Sequence, residues 1–84
     1  MPSIAIKFYA TLRKKAGRDG HDCSAATVRD AISCLKDEFG PEFVKHVKSC
    51  NIFLNSSNIT LLQGPLTRLK DGDTLHIFPP MGGG

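Results

Sequence analysis

The strongest periodicity in this chain is helical, and it lies between two stretches that alternate like strands. Val28, Ala31, Ile32, Leu35 and Phe39 recur at the spacing of one helix face. Thr27 stands at the N-cap position with Asp30 three residues on, a capping-box-like pair with Asp in place of the usual Glu. Gly40-Pro41 stops the run. A short second turn of helix is expected over Glu42–Lys48, with Phe43, Val44 and Val47 packing inward. One main helix can cover one face of one small sheet, which points to an α+β fold.

The flanking segments supply that sheet. Ile4, Ile6 and Phe8 alternate with Ala5, Lys7 and Tyr9, the period of a half-buried strand. Residues 11–24 are basic and glycine-containing and read as a turn followed by a weak strand around His21–Ser24. Beyond the helix, Ile52-Phe53-Leu54 reads as a strand, Asn55-Ser56-Ser57-Asn58 as a turn and Ile59–Leu62 as a short edge strand. Residues 64–69 read as an irregular or 3₁₀ crossover, and Lys70-Asp71-Gly72-Asp73 as a tight turn into a last strand, Thr74–Phe78. The expectation is a mixed sheet of about five strands with one main helix packed on one face.

A chain of 84 residues forms one small domain with a thin core, burying only about 60–70% of its unfolded surface, so a deep enzyme cleft is not expected. Eleven basic residues against eight acidic ones leave +3, which suits an acidic protein partner but is too mild to argue for nucleic acid. No run approaches the ~18 apolar residues of a membrane span, and Met-Pro-Ser-Ile-Ala-Ile-Lys has no signal-peptide layout. No membrane association and a cytoplasmic location are therefore expected. Cys23, Cys34 and Cys50 form no C-x-x-C and no zinc spacing, and free thiols are the expected state.

The most informative segment is Phe78-Pro79-Pro80-Met81-Gly82-Gly83-Gly84. Consecutive prolines cannot continue a sheet ladder, so the domain is expected to span residues 1–78 and a flexible tail residues 79–84. The last four residues reach at most about 13–14 Å when extended. Glycine-rich ends are commonly just frayed. Here a stiff Pro-Pro hinge directly after a strand, a short reach and a glycine terminus suit a segment that threads a narrow channel in another protein.

The pattern resembles the small sulfur-carrier family, which shares the ubiquitin-like β-grasp fold. That family includes the small subunit of molybdopterin synthase and the thiamine-pathway sulfur carrier. Pro65-Leu66, Asp71-Gly72-Asp73, Phe78-Pro79-Pro80 and the glycine end carry the resemblance, with Phe8-Tyr9-Ala10-x-x-Arg13 and Leu54-Asn55 closer to the molybdopterin branch. The likeness is strong over residues 65–84 and loose over 11–50. Lys14 stands where most members have Glu, and Gly82 where members often have Ala or Thr. Gly83 and Gly84 align with the family's diglycine; the alternative is that Gly84 is trimmed first.

The resemblance implies a chemistry located at the terminus. A carboxylate has no good leaving group, and ATP supplies one as the acyl-adenylate. A sulfur nucleophile then displaces AMP and leaves a Gly84 thiocarboxylate that donates sulfur. It implies further that this chain binds no cofactor, that ATP is used by a partner adenylating (ubiquitin-activating-like) enzyme, and that a sulfur acceptor follows. The large subunit of molybdopterin synthase leads among acceptors. Met81, Gly82 and Gly83, behind Pro79 and Pro80, would thread the tail.

The rest of the chain shows no enzyme motif of its own. There is no phosphate loop and no nucleophile elbow. His21, His46 and His76 fall on separate elements, with His76 expected as a solvated histidine on the sheet's outer face. Turn formation explains Asp71 and Asp73 better than acid–base work. Cys34 falls off the apolar stripe and ranks low as a sulfur-bearing thiol. If Leu75 and Ile77 face the helix, then His76 and Phe78 face out, joined by Lys7, Tyr9 and Phe53. Phe53, His76 and Phe78 are thus candidates for a partner-binding patch, ringed by Arg13, Arg68 and Lys70.

Three readings stand side by side. The first is a sulfur carrier for molybdopterin synthesis, or for thiamine, cysteine, methionine or tRNA thiolation. The second is a ubiquitin-like modifier joined through Gly84 to lysines. The third is an interaction module with an inert tail.

Overall fold

The computed structural model describes residues 1–80. Strands β1 (Ser3–Phe8), β2 (Gly20–Ser24), β3 (Asn51–Leu54), β4 (Ser57–Asn58) and β5 (Thr74–Phe78) form one mixed sheet in the order β2-β1-β5-β3-β4. The central pair β1–β5 is parallel, with Ile6 opposite Leu75 and Phe8 opposite Ile77. The other neighbours are antiparallel. Helices α1 (Ala10–Ala16), α2 (Val28–Phe39) and α3 (Pro41–Lys48) complete the described elements with two 3₁₀ turns, Ile59–Leu61 and Gly64–Leu66. This is the expected β-grasp arrangement.

Alternation in the strands decides which face is covered. Ile4, Ile6 and Phe8 of β1 and Leu75 and Ile77 of β5 are buried together with Val28, Ala31 and Leu35 of α2. Phe8 is the hub, meeting Phe39 and Phe43 edge-on at 5.5 and 5.4 Å between ring centres. Thr27 caps α2, its Oγ1 accepting from Asp30 N at 3.2 Å. Gly40 joins α2 to α3 at φ 93°, in the left-handed region that a side chain resists, and its N–H closes on Lys36 O at 2.8 Å. Phe43, Val44 and Val47 of α3 extend the core as expected.

Two local expectations are corrected. Residues 10–16 form α1 rather than a turn, so three helices stand where one main helix and a short turn were expected. Leu12 alone is buried there, with Ala16 packed beside it, too narrow a stripe to register as a period. Its last turn carries Arg13, Lys14 and Lys15, whose charge favours the helix C-terminus. Residues 59–61 form a 3₁₀ turn instead of an edge strand, because the Asn58 side chain accepts from Thr60 N at 3.0 Å and winds the chain there. The edge strand is the two-residue β4 just before it.

Candidate functional site

Pro79 and Pro80 follow β5 at the sheet face opposite α2, and three strands build that face. The register sets Phe53 of β3 opposite His76 of β5, and Lys7 of β1 opposite the same His76. Tyr9 follows β1 in extended backbone. Its ring stacks on Phe78 with centres 4.3 Å apart and planes 14° from parallel. Phe53 meets Phe78 edge-on at 5.7 Å, and His76 lies 5.8 Å from Tyr9. The Tyr9 hydroxyl and His76 Nδ1 share a 2.7 Å hydrogen bond, in which the hydroxyl donates when the neutral ring carries its proton on Nε2.

These side chains line an open groove of about 850 Å³, with Ala10 and Thr11 at one rim and Asn51 and Asn55 at the other. Pro79 and Pro80 form part of its wall. The turn at Asn55 is held firmly to the start of β5. Asn55 adopts φ 55°, its N–H donates to Thr74 O at 2.8 Å, and its Oδ1 accepts from Thr74 N at 3.1 Å. Below it, Asp73 Oδ2 accepts from Lys70 N at 2.8 Å and Gly72 takes φ 87°, so the Asp-Gly-Asp segment is a turn-former. The groove is apolar in character and rigidly framed, which suits docking more than chemistry.

The sequence-predicted residues are divided by this geometry. Phe53, His76 and Phe78 come together, and Phe78 is 37% exposed. His76 is half-buried and hydrogen-bonded rather than a solvated surface group. Arg13, Arg68 and Lys70 do not ring the aromatic groove. Arg13 lines a neighbouring groove with Asp19, its Nε 3.8 Å from Asp19 Oδ1, while Arg68 and Lys70 line another beside Leu62 and Gln63. Arg68 forms an antiparallel bridge with Thr27, the N-cap of α2. Met81, Gly82, Gly83 and Gly84 lie outside the described residues. Tyr9, placed by sequence only as outward-facing, proves to be the center of the cluster.

The ThiS family's profile matches residues 6–84 of the chain. The chain belongs to the ThiS family. Among relatives, small archaeal modifier protein 3 of Haloferax volcanii is 30% identical over 93 residues, covering 96% of this chain and 98% of that protein. The solution structure of small archaeal modifier protein 1 from Methanosarcina acetivorans superposes with a TM-score of 0.90 at 32% identity, covering 100% of this chain and 98% of that one. A putative molybdopterin converting factor subunit 1 from Pyrococcus furiosus gives 0.80 at 27% identity, covering 96% and 100%. What this ThiS-family chain shares with these relatives is the role of a ubiquitin-like sulfur carrier or modifier, a cosubstrate or subunit rather than a catalyst. Among the described residues no helix is long and apolar enough to cross a membrane.

Proposed function

We propose that the Gly84 carboxylate is adenylated by a partner enzyme using ATP and converted to a thiocarboxylate that donates sulfur, with molybdopterin synthesis as the leading destination. The observation that carries this reading is the position of Phe78, Pro79 and Pro80 in the wall of the aromatic groove. A partner seated on Tyr9, Phe53 and Phe78 thereby meets the root of the tail. Membership of the ThiS family and the likeness to a molybdopterin converting factor subunit support the sulfur route. The chemistry balances without any group on this chain beyond its terminus. The carboxylate displaces pyrophosphate from ATP, and sulfide then displaces AMP to leave the thiocarboxylate. A persulfide displaces AMP to give an acyl disulfide, whose S–S bond a thiol of the donor protein breaks, releasing the thiocarboxylate and leaving a disulfide on the donor.

A second reading rests on a specific observation, the 30% and 32% identities to two small archaeal modifier proteins. In it the same adenylate is passed to a lysine amine of a target protein. Incubation of the chain with its host's adenylating enzyme, ATP and a sulfur donor, followed by intact mass spectrometry, tests the first reading. An oxygen-to-sulfur exchange mapped to Gly84 is expected, and a terminus that stays a plain carboxylate overturns it. Gly84-linked isopeptides on lysines, found by digestion of host protein, would establish the second.

A further inference from the structure

Two of the three thiols lie where the edge strand packs under the main helix, Cys34 against the carbonyl that follows Cys23. Cys23 stands opposite Ile4 in the antiparallel β1–β2 ladder, and cross-strand partners point to the same face, so its side chain turns toward α2 with the core. Cys34 lies on α2, one helical turn before Glu38, which pairs with Arg18 at the start of the β2 hairpin. The Cys34 thiol donates to Ser24 O at 3.7 Å, the carbonyl of the residue that follows Cys23. Ala25 and Ala31, both fully buried and small, let helix and strand approach closely. Burial, and after it the neighbouring Cys34 thiol, push the Cys23 thiol up to about 12. Both cysteines are half-buried, neither sealed from solvent nor free in it. The Cys50 thiol is engaged elsewhere, donating to His46 O at 3.0 Å.

We propose that Cys23 and Cys34 are a redox pair that closes to an intrachain disulfide under a peroxide, clamping the edge strand β2 to α2. Cys34 meets the oxidant first, because burial makes Cys23 hold its proton more tightly than an ordinary thiol does. Its thiolate attacks one peroxide oxygen, the O–O bond breaks, hydroxide leaves, and Cys34 becomes a sulfenic acid. The Cys23 sulfur then attacks the Cys34 sulfur. The S–S bond forms, the S–O bond breaks, and the sulfenic oxygen leaves as water with the Cys23 proton. Peroxide is reduced by two electrons and the two thiols are oxidised by the same number. The pair sits on the helix side of the sheet, so closure leaves the aromatic groove on the opposite face in place.

The test treats the reduced full chain with hydrogen peroxide, alkylates the remaining thiols and reads intact and tryptic masses. Trypsin cuts at Arg29, between the two cysteines, so only the disulfide can hold the two peptides together. Before alkylation the native chain and Cys50→Ser are expected to lose the mass of two hydrogen atoms and to regain it with a thiol reductant; after alkylation and trypsin both are expected to yield the linked Cys23–Cys34 peptides. Cys34→Ser, a conservative change at a half-exposed position, is expected to show no such loss. Cross-linking of two chains, a bridge through Cys50, or Cys34 oxidised past sulfenic acid without the linked peptides would each overturn the pair.

Discussion

The Tyr9 hydroxyl and His76 Nδ1 lie 2.7 Å apart, bringing together residues separated by 67 positions in the chain. Neither residue is on the core side of the sheet, yet the bond fixes the ring of Tyr9 against Phe78 and so fixes the shape of the outer face. Tyr9→Phe keeps the ring and removes the bond. It is expected to lower unfolding free energy by about 0.5–1.5 kcal/mol, measured by urea denaturation. The stacked ring should remain, so partner binding should weaken far less than in a truncation of Phe78.

Phe78→Ala removes the ring on which both Tyr9 and Phe53 pack. An anchor of this kind at the center of an interface contributes about 2 kcal/mol or more, so affinity for the proposed adenylating enzyme should fall about 30-fold. Stability should fall by about 1–3 kcal/mol, the scale of the two aromatic pairs lost. Isothermal calorimetry on the partner complex, with thermal melting of the free chain as control, separates the two.

Gly20 sits in β2 opposite Lys7, and a Cβ added there would press into the Ile6 carbonyl oxygen. A backbone atom cannot swing away as a side-chain end can. Gly20→Ala is expected to destabilise by about 1–3 kcal/mol, the cost of overpacking. Hydrogen exchange in the β1–β2 ladder should accelerate more than in β3–β4.

Stability should also fall on the alkaline side. Cys23 is pushed from its ordinary 9.0 to about 12, chiefly by burial, and Cys50 is raised by burial as well. An acidic group whose folded value is raised stays protonated in the fold while the unfolded chain releases its proton. Stability is therefore fully present below pH 9.0 and is lost as pH rises toward about 12. Melting temperatures taken across that interval should drop more steeply for the native chain than for Cys23→Ala, compared each with its own value at neutral pH.

Much of this architecture is written in local periods, and the remainder depends on register. The alternation in Ile4–Phe8 and Thr74–Phe78 and the helical stripe from Val28 to Phe39 each pointed to the correct face, because one side of each element is buried. Helix α1 is not legible in the sequence, since Leu12 is its only buried residue and the basic run around it has the composition of a loop. Ile59 looked like a strand residue until Asn58 capped the turn beneath it. That Phe53 and Phe78 face outward was legible from alternation. That Tyr9 bonds His76 was not, because it follows from how β1 slides against β5, which neither strand encodes alone. The cations failed for the same reason: charge is visible in a sequence, but the groove it lines is not.

The parallel pairing of Ala5–Phe8 with Thr74–Ile77 has a kinetic consequence. Without β5, the β1–β2 hairpin and the β3–β4 hairpin are separate fragments with no strand between them. Insertion of β5 unites them in a single non-local closure, the slow and cooperative kind of step. The same event brings Phe78 against Tyr9 and sets Pro79 and Pro80 in the groove wall. A nascent or partly unfolded chain therefore presents no docking face at all, and a partner that recognises this face inspects the folding of the whole domain before it handles the end.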